Sequence, residues 1–185
     1  MPRLSEYSLR AFVEADLEQV LLWRNSDRVR QHMYSDHLIS WEEHVNWFHR
    51  MRNDHTHECL IFEYQNRPVG VVSFSNIDTK HMRCTWGFYL GETDIPKGSG
   101  LAMGLLGLSY GFETIGSRKI CGEVLASNDA SIRFHQKLGF VQEGHFVNHI
   151  YKNGHFEDVL SFACFSEDWG KHRENIMQRY FVEEK

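Results

Sequence analysis

TWGFYLGETDIPKGSGLA, running from Thr85 to Ala102, decides how the rest of this 185-residue chain is read. Trp86 to Leu90 is short, apolar and aromatic, the make-up of a buried strand. Gly91, Asp94, Pro96 and Lys97 break it. Lys97-Gly98-Ser99-Gly100-Leu101-Ala102 then opens a long apolar period. Small residues at a helix start leave backbone N–H groups unpaired and unshielded, and that end of a helix carries partial positive charge. The turn therefore suits a phosphate or pyrophosphate. It has neither the spacing of a Walker loop nor that of a dinucleotide-binding Gly-x-Gly-x-x-Gly turn. Beyond it, Leu101, Leu105, Leu108, Phe112 and Ile115 recur at steps of four and three, a core stripe. Gly100, Gly104, Gly107 and Gly111 form a second stripe. An interior glycine costs a helix about 1 kcal/mol relative to alanine, so these predict close approach of the helix to its sheet or to a neighbouring helix.

Composition narrows the class. The chain is 42% hydrophobic and 14% aromatic, enough for one sizeable core. A formal charge of −5 argues against a general nucleic-acid binder. No apolar run is long enough for a bilayer and no signal segment opens the chain, so the expected location is the cytoplasm, away from membranes. Cys59, Cys84, Cys121 and Cys164 lie far apart in apolar runs and read as buried free thiols. Of the 12 histidines only His55 and His57 are closely paired, in a polar loop, and no metal site is expected.

Tyr7–Val13 reads as a first strand. Asp16 caps a helix with Leu17, Val20 and Leu21 on one face, and Val29–Tyr34 reads as a second short helix. Ser40 and Glu43 make a capping box that starts a helix to about Arg52. On it, Trp41, Val45 and Phe48 share one face, and His44, Trp47 and Met51 an adjoining one. One of these faces is core; the other is free to line a pocket. Glu58–Tyr64, Pro68–Phe74, Met82–Leu90, Lys119–Leu125, Phe140–Val147 and Phe156–Phe165 read as strands. A helix runs from Asn128 or Ser127 to Leu138. The tail from Glu167 either docks as a helix through Trp169, Ile176, Tyr180 and Phe181 or frays.

Two motifs combine. Lys97-x-x-Gly100-x-Ala102 resembles the acetyl-CoA pyrophosphate loop of the GNAT N-acetyltransferases, with Lys97 where Gln or Arg is usual. Asn128, Gly139 and Phe140 match that family's second motif, with His135 in its tyrosine position. The resemblance implies a mixed α+β fold in a single domain. Its central, strongly twisted, mostly antiparallel sheet has about seven strands, is split between strands 4 and 5, and is flanked by helices. An acceptor half would cover residues 1–80, an acetyl-CoA half 81–165 and a tail 166–185. It also implies acetyl-CoA as donor substrate, no metal, and a possible homodimer. In the acceptor half, Trp23-Arg24-Asn25, Met33-Tyr34-Ser35, His44 and Trp47 resemble the nucleotide-sugar N-acetyltransferases of pseudaminic acid biosynthesis and flagellin glycosylation. The implied acceptor is the 4-amino group of a UDP-linked 4-amino-4,6-dideoxy sugar.

Roles follow from the resemblance. Strand residues Phe88, Tyr89 and Leu90 would bind the pantetheine and offer an N–H to the carbonyl oxygen. The amides of Lys97, Gly98, Ser99, Gly100, Leu101 and Ala102 would hold the pyrophosphate, and Asn128 and Ser131 the pantetheine. Glu123, a carboxylate in an apolar strand, is either a general base or a surface group paired with Arg83 or Lys119. His135 is either the proton donor to the leaving thiolate or a hydrogen-bonding or solvent-facing helix residue. Met33, Tyr34 and Trp47 would form an apolar platform for the nucleotide, with Arg24 and His44 on phosphate or sugar oxygens and Tyr89 also on the acceptor. Alternatively Met33 and Trp47 are plain core and Arg24 a surface charge. A polyamine or a protein N-terminus as acceptor, or a non-catalytic acyl-CoA-binding module, are the competing readings.

Overall fold

The computed structural model describes residues 3–181. Seven strands form one sheet in the order β1-β2-β3-β4-β5-β7-β6. They are β1 (Tyr7–Ala11), β2 (Glu58–Tyr64), β3 (Arg67–Asp78), β4 (Arg83–Leu90), β5 (Lys119–Leu125), β6 (Val141–Lys152) and β7 (His155–Phe165). All neighbours are antiparallel except β4 and β5, which are parallel and pair only over Arg83–Thr85 against Lys119–Cys121. Beyond Thr85 the two strands part. Trp86 to Leu90 remain paired with β3 on one side and have no strand on the other. This is the expected split, and it leaves backbone donors and acceptors along one edge of β4 for another partner.

Six helices accompany the sheet: α1 (Leu17–Asn25), α2 (Asp27–Arg30), α3 (Trp41–Arg52), α4 (Ser99–Ser109), α5 (Asp129–Lys137) and α6 (Ser166–Tyr180). The second short helix is only one turn and stops before Met33, not at Tyr34. α3 starts at the expected capping box, with Ser40 accepting from the Glu43 N–H. Its buried face is His44 and Phe48, whereas Trp41 is exposed. The tail docks as α6, burying Trp169 and Ile176. β6 runs on to Lys152, further than the alternation predicted, and turns through Asn153-Gly154, both at positive φ, as a tight hairpin requires. Cys59, Cys84 and Cys164 are buried free thiols and Cys121 is half-buried.

α4 lies across the core, and its glycine stripe has the predicted cause. A Cβ on Gly104 would come within 2.8 Å of Leu138 at the end of α5. One on Gly107 would meet Val72 at 3.2 Å, and one on Gly111, in the π-helical turn Tyr110–Thr114 that continues α4, would meet Ile120 at 2.6 Å. The helix thus sits against both sheet and α5 at backbone distance. Gly107→Leu should lower the melting temperature, by about 1–3 kcal/mol of stability through overpacking; a rise would contradict the packing argument.

Candidate active site

The split opens into a cavity of about 850 Å³. β4 supplies Trp86 to Leu90, β5 supplies Glu123, and α5 supplies Asn128, Ser131, Phe134 and His135. Arg24, Met33, Tyr34, His44 and Trp47 close it from the N-terminal half. Of the expected donor residues, Phe88, Tyr89, Leu90, Gly100, Asn128 and Ser131 share this space with the expected acceptor residues, whereas Lys97, Gly98, Ser99, Leu101 and Ala102 do not line it.

The glycine turn fits an anion, with a narrower set of donors than expected. Gly98 is the N-cap at φ 104°, a left-handed conformation suited to glycine. The N–H groups of Ser99, Leu101 and Ala102 are already bonded, to the carbonyls of Pro96, Gly98 and Gly98. Their side chains are buried, and the Ser99 hydroxyl bonds Tyr7 and the Pro96 carbonyl. Ser99, Leu101 and Ala102 therefore shape the turn from inside. Lys97, Gly98 and Gly100 are the positions whose N–H groups have no acceptor among the described residues, and these fit a pyrophosphate at an 11-residue helix.

Asn128 caps α5, its Oδ1 accepting from the Ser131 N–H at 3.1 Å. That leaves its amide NH₂ without a partner among the described residues, and Asn128 lines the cavity. Glu123 is not paired with Arg83 or Lys119: Lys119 binds Glu143 and Arg83 faces Asp78. Glu123 instead accepts a hydrogen bond from the Tyr34 hydroxyl at 2.5 Å. This joins the two halves across the split. Burial, then the Glu123 charge, pushes the Tyr34 phenol well above its usual range, so it stays a donor.

His135 departs from the expected proton donor. It is 2% exposed, inside a box of Trp86, Phe88, Phe140 and Phe162 rings. Indole N–H is only a donor, so Nε2 accepts from Trp86 Nε1 at 3.2 Å. The single proton then sits on Nδ1, donated to the Ser131 carbonyl at 2.8 Å. Burial pulls its pKa down. A neutral ring whose Nε2 accepts from Trp86 and whose one proton is held by the Ser131 carbonyl has no acidic proton free to give, so the acid role does not fit this geometry; His135 braces Trp86. His44 is corrected for the same reason. It is buried, its Nε2–H donates to the Leu17 carbonyl, and burial lowers its pKa. It stacks on Trp47 as cavity wall and brings no cation to a phosphate.

Two buried neutral imidazoles imply a pH dependence. The unfolded chain binds these protons near pH 6.5, whereas the folded pKa values are lower. Stability is complete above the unfolded value and is lost as pH falls toward the folded ones. Melting temperature should drop between about pH 7 and pH 5, less steeply in His135→Gln.

Arg24 is half-buried. Its Nη2 donates to the Ser35 hydroxyl at 2.7 Å. Its Nη1 is buried and has no partner among the described residues. Desolvation lowers its pKa, and an uncompensated buried cation is costly. Arg28, also on the cavity, donates to the Gly91 carbonyl. Two further residues hold this wall, and sequence reasoning named the first without its structural role and gave the second no role at the site. Asn25 clamps Ile39 through both its amide N–H and carbonyl, and Lys152 reaches in from β6. The first is an Arg-Asn pair whose clamp partner is 14 residues away, and the second comes from the far end of the sheet, so neither leaves a local signal. Among the described residues no group of three or more His, Cys, Asp or Glu is placed to hold a metal, and no helix is long and apolar enough to cross a membrane.

The comparisons agree with this architecture. The family described as Acetyltransferase (GNAT) domain matches residues 7–141. The spermidine N(1)-acetyltransferase of Vibrio cholerae serotype O1 is 23% identical over 156 residues, covering 84% of this chain and 90% of that protein. An uncharacterised prophage-derived N-acetyltransferase of Bacillus subtilis is 27% identical over 165 residues, covering 88% and 91%. The crystal structure of spermidine N-acetyltransferase from Vibrio cholerae in complex with CoA and spermine superposes with a TM-score of 0.84 at 22% identity, over 89% of this chain and 98% of that one. Family match, split sheet and glycine turn converge: the chain belongs to the GNAT acetyltransferase family and is an acetyl-CoA-dependent N-acetyltransferase.

Proposed function

We propose that the enzyme acetylates a primary amine carried by an anionic molecule, a UDP-linked amino sugar being the acceptor that suits the cavity best. The observation that carries this is the charge of the described cavity wall, on which Arg24 and Arg28 outnumber the single carboxylate, Glu123. A phosphate is the natural partner of a guanidinium. Met33, Tyr34, Tyr89 and Trp47 offer flat, apolar surface for a base. The names of the relatives favour a second reading, a polyamine acceptor. Against it, Glu123 is the one carboxylate on the described cavity wall, which also carries Arg24 and Arg28, and a polycation needs the reverse balance.

In this reading the pyrophosphate of acetyl-CoA lies on the free amides of Lys97, Gly98 and Gly100. The pantetheine runs along the unpaired edge of β4, near Asn128 and Ser131. A backbone N–H near Phe88–Tyr89 meets the carbonyl oxygen as it gains charge. Glu123 takes the proton of the acceptor ammonium, directly or through a water, and the free amine attacks. With His135 neutral, the leaving sulfur takes its proton from water. Calorimetry on the CoA-loaded protein tests the acceptor: UDP should bind and spermine should not. Spermine binding without UDP binding would favour the polyamine reading.

A further inference from the structure

We propose that Lys152 is a positioning residue for acetyl transfer, fastening the Met33-Tyr34 loop so that the Tyr34 hydroxyl holds Glu123. This rests on the cavity being the transfer site.

Lys152 ends β6, yet its side chain is 1% exposed. Its Nζ donates to the carbonyls of Gln31 at 2.7 Å, Arg30 at 3.3 Å and Met33. An ammonium has three donors and no acceptor, and all three are spent on carbonyls at and just beyond the end of α2. Burying an ammonium is costly, so a lysine that only decorated a hairpin would extend into solvent. A second tie joins the same segments: the Asn153 N–H donates to Asp36 Oδ2 at 3.2 Å. Tyr34 follows Met33 directly, and its hydroxyl occupies Glu123 Oε2. Oε1 is left for the amine. The β6–β7 hairpin is thereby linked to the carboxylate of β5 through the acceptor loop. No proton passes through Lys152; it sets where Glu123 points.

A double-mutant cycle separates this from plain stabilisation. In the wild-type background Lys152→Met should lower kcat about tenfold, within the coupling seen for linked residues, with the acetyl-CoA Kd unchanged. In a Tyr34→Phe background, where the link to Glu123 is already cut, the same substitution should change kcat less than about twofold. Independent, multiplying losses, or a wild-type kcat in Lys152→Met, would overturn the proposal. If Lys152→Met does not fold, Lys152→Gln, which keeps two N–H donors, is read in its place. Phenolate absorbance gives a readout free of turnover. The Tyr34 titration, taken as the difference from Tyr34→Phe, should move down toward the ordinary tyrosine value in the Lys152 variant. No movement would sink the latch even if the acceptor assignment were wrong.

Discussion

Glu123→Gln lowers kcat by about 10²–10⁴-fold, the span of general acid–base catalysis, and leaves the acetyl-CoA Kd at its wild-type value. The substitution keeps shape and a hydrogen-bond acceptor for the Tyr34 hydroxyl, so the cavity wall survives. It removes the proposed acceptor of the ammonium proton. The loss should shrink as pH rises and more acceptor amine is free without help. Stopped thiol-release assays and calorimetry with CoA measure the two halves of the statement. A variant with near-normal turnover would take Glu123 out of the reaction.

Arg24→Met has the second large effect, and it discriminates among acceptors. Truncating one side of a buried charge pair costs about 2–5 kcal/mol. An acceptor that places phosphate on Arg24 should therefore lose on the order of 10² or more in kcat/KM. A polyamine gains nothing from the guanidinium, and its kcat/KM should hold or rise. Methionine fills the stem volume, so the wall is not emptied. Equal losses for both acceptor classes would mean that Arg24 is structural, through its bond to Ser35.

Much of the fold was legible because its signals are local. The break from Trp86–Leu90 to Lys97–Ala102, the Ser40–Glu43 box and Asn153-Gly154 each depend on residues within a few positions. The glycine stripe of α4 predicted close packing on propensity alone. What the sequence hid depends on partners distant along the chain. His135 is a polar residue at a helical position until Trp86 Nε1, 49 residues earlier, points at it and fixes its tautomer. Ser99 looks like a phosphate-loop donor until Tyr7 claims its hydroxyl. Lys152 has the appearance of a hairpin surface charge, and only the fold brings the carbonyls of residues 30, 31 and 33 to it. The acceptor class is the hardest case. Related chains of about one-fifth identity share the fold over most of the chain, while the proposed acceptor charge rests on a few side chains such as Arg24.

The most direct measurement is free-thiol release from acetyl-CoA with the purified protein, offered in parallel a UDP-linked 4-amino-4,6-dideoxy sugar, spermidine and a peptide with a free N-terminus. Selective release with the nucleotide sugar is the expected result. Release with spermidine and none with the nucleotide sugar would contradict the anionic-acceptor account and assign the cavity to a polyamine.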